Sequence, residues 1–96
     1  MNDLLSIQQQ LKLLKPSLVS KYHLSELGLF GSVVRDDFSF ESDVDIMVDF
    51  SQPIGIEFID LADELESKLK RKIDLVSRKG IKPEYLNAIQ SELIYV

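Results

Sequence analysis

Three aspartates carry the chemistry that this sequence can offer. Asp43 and Asp45 are two residues apart, so on a strand both side chains leave the same face, with Cα atoms roughly 6–7 Å apart. That spacing lets two carboxylates share a pair of divalent cations about 3.5–4 Å apart, the arrangement used for in-line phosphoryl transfer. Oxygen ligands without histidine or cysteine suit Mg²⁺ or Mn²⁺ rather than zinc. Asp74 lies between Ile73 and Leu75. Its neighbours are core candidates, so Asp74 points to the opposite face, as a third metal ligand or as the group that takes a proton from the acceptor.

A place for an anion lies upstream. Gly31-Ser32 falls at a strand-to-helix turn, where glycine allows close backbone approach to a phosphate and free N–H groups point towards an anion. The Ser32 hydroxyl adds a donor, and Arg35, one turn on, can reach a phosphate through its planar fork. An anion cradle followed ten residues later by acids is what a metal-bound nucleoside triphosphate requires.

The elements that must position these groups follow from periodicity. Leu4, Leu5, Leu11, Leu13 and Leu14 form a near-helical stripe, and Pro16 fits the first turn of a helix. Helices are therefore expected over about 3–14 and 16–23, separate or fused with a kink. Glu26–Phe30 reads as a buried strand running into Gly31-Ser32, then a helical turn at Val33–Arg35 and a polar loop at Asp36–Ser42. From Asp43 to Phe50, Val44, Ile46 and Val48 alternate with Asp43, Asp45, Met47 and Asp49, putting apolar residues on one face and mostly acids on the other. Phe58, Ile59, Ala62, Leu65 and Leu69 predict an amphipathic helix over about 55–70. A strand at Ile73–Val76, a helix over about 83–91 opened by Pro83, and a short strand at Leu93–Val96 complete the chain. The expected architecture is an α/β sandwich with a small mixed sheet, and 96 residues make one domain, 1–96.

Bulk properties exclude several classes. No apolar run reaches the roughly 18 residues of a membrane span, no signal peptide opens the chain, and cysteine is absent, so a cytoplasmic location is expected. The net charge of −5 argues against direct nucleic-acid binding, because a protein that grips a duplex carries the opposite sign. It suits a basic protein partner.

Gly31-Ser32, ten intervening residues and Asp43-Val44-Asp45, within the run GSVVRDDFSFESDVDIMVDF and followed by KIDLV at 72–76, resemble the nucleotidyltransferases of the DNA polymerase β superfamily, in particular their minimal nucleotidyltransferase (MNT) branch. The resemblance covers nearly the whole chain, to the closing ELIYV. It implies the polymerase β-like fold, with Gly31, Ser32 and Arg35 holding the triphosphate of ATP, Asp43 and Asp45 ligating Mg²⁺, and Asp74 as third carboxylate. It also implies an antitoxin that adenylylates a tyrosine near the active site of a partner HEPN-domain ribonuclease, in a hetero-oligomer. The chain departs from the family pattern at Val34 and Asp36, where a small residue and glycine are common. Asp36 places a negative charge beside the phosphate site.

Two other functions stay open. A binding module could neutralise a partner by occlusion, although a relic is free to lose its acids and all three are present. A transferase for a small molecule or RNA would share the chemistry, but those relatives usually carry a second domain, for which nothing is left after residue 96. Among the remaining residues, the acids do not spell an EF-hand, since Val48 replaces the required glycine. Asp49 is expected to be structural or solvated and His23 to end a helix. The Lys68, Lys70, Arg71, Lys72 cluster suits a helix C-terminus. Tyr85, Tyr95, Leu5, Leu11 and Leu14 are expected to pack.

Overall fold

The computed structural model describes residues 3–35, 38–39 and 41–96; the Asp36 departure and part of the 36–42 loop lie outside the described residues. Helix α1, Asp3–Tyr22, is continuous and contains Pro16: the two expected helices are fused. Proline inside a helix costs about 3 kcal/mol. Ile7 and Leu11 before it, and Leu18 and Tyr22 after it, are all buried on one face. Each such side chain contributes roughly 1.5–3 kcal/mol on burial, so four anchors on a common stripe outweigh the proline. Leu5 and Leu13 lie off that stripe and are exposed, whereas Leu14 packs at the core margin.

His23 ends α1 in the left-handed region (φ 59°), its N–H donating to Val19 O at 3.0 Å. This is the helix-ending role expected of it, in a conformation that favours glycine. The strain amounts to about 1–2 kcal/mol, and glycine gives back roughly 0.4–1 kcal/mol through a freer unfolded chain. His23→Gly is therefore expected to stabilise the protein by about 0.5–1 kcal/mol in urea denaturation. A loss of stability would mean that imidazole contacts exceed the strain.

Strand β1, Leu24–Phe30, runs antiparallel to β2, Val44–Phe50, and to the short β4, Ile94–Tyr95; β2 runs parallel to β3, Ile73–Ser77. The order β3-β2-β1-β4 is the expected small mixed sheet. Helix α2, Glu57–Leu69, connects the parallel pair β2 and β3. Opposed residues share a face. Leu27 with Val48 and Leu29 with Ile46 therefore form one inner surface, which packs in a single cluster with Ile7, Leu11 and Leu18 of α1 and Leu61, Leu65 and Leu69 of α2. Tyr22 Oη and Lys21 Nζ both donate to Glu64 Oε1, at 2.8 and 2.9 Å, tying α1 to α2. Both helices thus cover one side of the sheet.

The other side carries Glu26, Gly28 and Phe30 of β1 opposite Asp49, Met47 and Asp45 of β2. Met47 is fully buried, so this face is not the open acidic surface that alternation suggests. The C-terminal segment covers part of it: the Leu93 side chain stands so close over Gly28 that a Cβ there would lie 2.8 Å from Leu93 Cδ1. Arg78 donates to Glu26 Oε1 (3.2 Å) and to Tyr95 Oη (3.0 Å). Asp49 Oδ1 accepts from Phe50 N at 3.0 Å, a structural role. Tyr85 and Tyr95 are exposed rather than packed, because α3, Pro83–Gln90, buries no residue and β4 lies at the sheet edge. Among the described residues no helix is long and apolar enough to cross a membrane.

Candidate active site

Register places the candidate residues at one end of the sheet. Phe30 opposes Asp45 on the antiparallel side, and Asp74 opposes Asp45 on the parallel side. Asp45 thus stands between the end of β1 and Asp74 of β3. The chain leaves β1 through a 3-10 turn, Gly31–Val33, in which Val34 N and Arg35 N both donate to Gly31 O at 3.0 and 3.1 Å.

Gly31 is held here by two requirements. Its φ is +76°, and a Cβ would lie 2.9 Å from Asp45 Cγ and 3.2 Å from Asp45 Cβ, with carboxylate Oδ2 closer still. The glycine expected to admit a phosphate therefore also admits the Asp45 carboxylate against the turn. Ser32 follows at a half-buried position.

The acids differ in environment. Asp43 precedes β2 and is exposed, Asp45 is half-buried and Asp74 exposed. Asp45 is pushed up to about 6, first by burial, then by the charges of Asp74 and Asp43 and by a hydrogen bond shared with Asp74; Arg35 opposes the shift. A bound cation would offset the charge repulsion that raises Asp45. The all-oxygen donor set fits a hard divalent ion. Among the described residues, however, no three acid or histidine side chains are gathered into a formed metal cluster. Asp45 and Asp74 meet, while Asp43 acts on Asp45 through its charge.

Arg35 is exposed and donates through one guanidinium nitrogen to both oxygens of Glu92, at 3.1 and 3.0 Å. Glu92 Oε1 also accepts the Gly31 backbone N–H at 2.9 Å. Sequence reasoning missed Glu92, and no local signal marks it: it lies 57 residues from Arg35. The basic cluster lies at a helix C-terminus as expected, with Lys68 in the last turn of α2 and Lys70, Arg71 and Lys72 following it. Lys70, Arg71 and Lys72 line a cleft of about 390 Å³ with Glu41, Ser42 and Asp43. Arg71 also lies over the Phe38 ring, 4.6 Å from its centre, and pairs with Asp3 at 3.7 Å.

Comparison with known proteins finds relatives that match over the whole chain. A chain of Methanocaldococcus jannaschii provisionally named a protein adenylyltransferase is 38% identical over 100% of both chains. The protein adenylyltransferase MntA of Thermococcus cleftensis is 37% identical over 85% of this chain and 84% of its own. A solved structure provisionally described as a minimal nucleotidyltransferase superposes with a TM-score of 0.84 at 26% identity, covering 98% of this chain and 96% of that one. A chain from the complex of a tri-AMPylated Shewanella oneidensis HEPN toxin with an MNT antitoxin shares the fold, with a TM-score of 0.67 at 24% identity over 99% and 71% of the two chains. The family model described as nucleotidyltransferase domain matches residues 11–96, and with it the chain belongs to the nucleotidyltransferases, in their minimal branch.

Proposed function

We propose that this nucleotidyltransferase is a metal-dependent protein adenylyltransferase that moves AMP from ATP onto a tyrosine of a HEPN-domain toxin, acting as its antitoxin. The observation that carries the reading is the junction of the Gly31-Ser32 turn with the Asp45–Asp74 pair at one sheet end. The names of the adenylyltransferase relatives and of the MNT–HEPN complex support a protein acceptor and a HEPN-domain partner; the tyrosine comes from the family resemblance.

In this reading Gly31 N–H, the Ser32 hydroxyl and Arg35 bind and orient the triphosphate. Asp43, Asp45 and Asp74 would hold Mg²⁺, which supplies charge neutralisation when bound. The tyrosine oxygen bonds to the α-phosphorus, the bond to the β-phosphate bridging oxygen breaks, and pyrophosphate leaves. The tyrosine proton passes to a carboxylate, for which Asp74, exposed at the site, is positioned. The 96 residues act as one catalytic domain, and the partner supplies the wall for the acceptor.

The test pairs the protein with labelled ATP, Mg²⁺ and a HEPN-domain partner, and reads the partner's mass. One or more added AMP units are expected. Asp74→Asn should still bind the partner yet lose AMP transfer and lasting inhibition together. Inhibition by chemistry persists after the antitoxin is removed and needs only substoichiometric amounts, whereas occlusion reverses on separation. Durable neutralisation by Asp74→Asn with no mass change on the partner would overturn the enzymatic account.

A further inference from the structure

Two of the three groups assigned to the nucleotide's phosphates, the Gly31 N–H and Arg35, already hold an anion. Glu92 Oε1 takes the Gly31 N–H at 2.9 Å, and both Glu92 oxygens take Arg35 at 3.1 and 3.0 Å. The Gly31 N–H opens a helical turn and has no partner inside it, so an acceptor from elsewhere must satisfy it. A carboxylate and a phosphate make the same demand on such donors, namely negative oxygens at hydrogen-bond distance. We propose that Glu92 is an intramolecular stand-in for phosphate that fills the Gly31–Arg35 cradle and that the polyphosphate of the nucleotide displaces. The inference rests on the transferase reading given above.

Glu92 is not a stray surface contact. Its backbone N–H closes a turn on Ile89 O at 3.0 Å, directly after α3. The next residue, Leu93, packs on Gly28, and Ile94 and Tyr95 pair with Leu29 and Gly28 of β1. Val96 N–H then donates to Leu27 O at 2.9 Å. β1 is the strand that delivers Gly31, so one edge pairing fixes the carboxylate and the cradle relative to each other. The side chain itself remains about a quarter exposed, which leaves it a route into solvent without loss of the strand pairing.

Exchange favours a polyphosphate, which carries more charge and more acceptor oxygens than one carboxylate and keeps both Arg35 and Gly31 N–H paired throughout. A competing internal anion lowers apparent affinity by the fraction of time the cradle is free. A cradle that Glu92 fills about nine-tenths of the time binds an incoming anion about tenfold more weakly than an unfilled one. Glu92 is thus a positioning residue that sets nucleotide affinity and helps product pyrophosphate to leave, without touching the transferred group.

Titration calorimetry with two probes, AMP-PNP with Mg²⁺ and inorganic pyrophosphate with Mg²⁺, tests this on the full chain. Glu92→Gln keeps the size and one acceptor oxygen but removes the charge. Both probes should bind it about tenfold more tightly than wild type, with Glu92→Asp, whose shorter arm reaches the cradle less well, in between. KM for ATP should fall, with kcat no higher than in wild type because pyrophosphate leaves more slowly. In the unaltered protein, the carbon-13 carboxyl resonance of Glu92 should move on addition of pyrophosphate, a readout that no folding defect of a variant can imitate. If Glu92 instead serves only to brace Arg35 for the nucleotide, Glu92→Gln binds both probes more weakly, and the proposal is overturned. Equal affinity, or a Glu92 resonance that pyrophosphate leaves in place, overturns it too. Binding of AMP-PNP by neither protein overturns the transferase reading itself.

Discussion

Asp43→Asn and Asp45→Asn are each expected to give a folded protein whose AMP transfer falls about a thousandfold or more, since a metal site supplies several kcal/mol of transition-state stabilisation. The proposed roles make the two acids a unit: Asp43 adds charge, and Asp45 lies between Gly31 and Asp74. Stability should move the other way. The folded carboxyl of Asp45 is raised from 3.8 to about 6. Between these values the metal-free folded state keeps a proton that the unfolded chain has lost, so the contribution to stability is full at low pH and disappears as pH rises through about 6. Asparagine does not titrate. Asp45→Asn should therefore be more stable than metal-free wild type at pH 7.5 and lose that advantage towards pH 4. Transfer by mass spectrometry and urea melts at the two pH values check both parts. An Asp43→Asn protein that kept most of its transfer rate would remove the metal reading.

Gly31→Ala should damage fold and site together. A β-carbon at φ +76° costs about 1–2 kcal/mol, and here it also meets the Asp45 carboxylate. Asp45 must rotate away or the turn must shift, so stability should fall by about 2–4 kcal/mol. Displacing the carboxylate by about 1 Å is enough for a hundredfold loss of transfer. Gly80→Ala is the control, because nothing lies within 4 Å of a Cβ there. The double variant Gly31→Ala/Asp45→Ala relieves the clash and should regain part of the stability while remaining inactive. A Gly31→Ala protein with wild-type melting and transfer would show that the turn does not hold Asp45.

The sequence alone determined what depends on neighbours along the chain. Alternation in Val44, Ile46 and Val48 placed Asp43, Asp45 and Asp49 on one face, because strand side chains alternate regardless of what packs on them. The same rule turned Asp74 away from the core, and helical spacing in Phe58–Leu69 located α2. The mixed sheet and its helices were therefore legible. Contacts between distant segments were not. Continuity of α1 through Pro16 depends on a core stripe supplied by α2 and the sheet, which outweighs a local penalty. The burial of Met47, on a face that reads as acidic, depends on what the rest of the fold lays over the sheet. Only strand register set Asp45 opposite both Phe30 and Asp74, and so made Gly31 a steric necessity. Glu92 was hidden for the same reason. Its meaning lies in the pairing of β4 with β1, which brings an ordinary surface-type residue to the Gly31 turn, where a carboxylate can stand in for a phosphate.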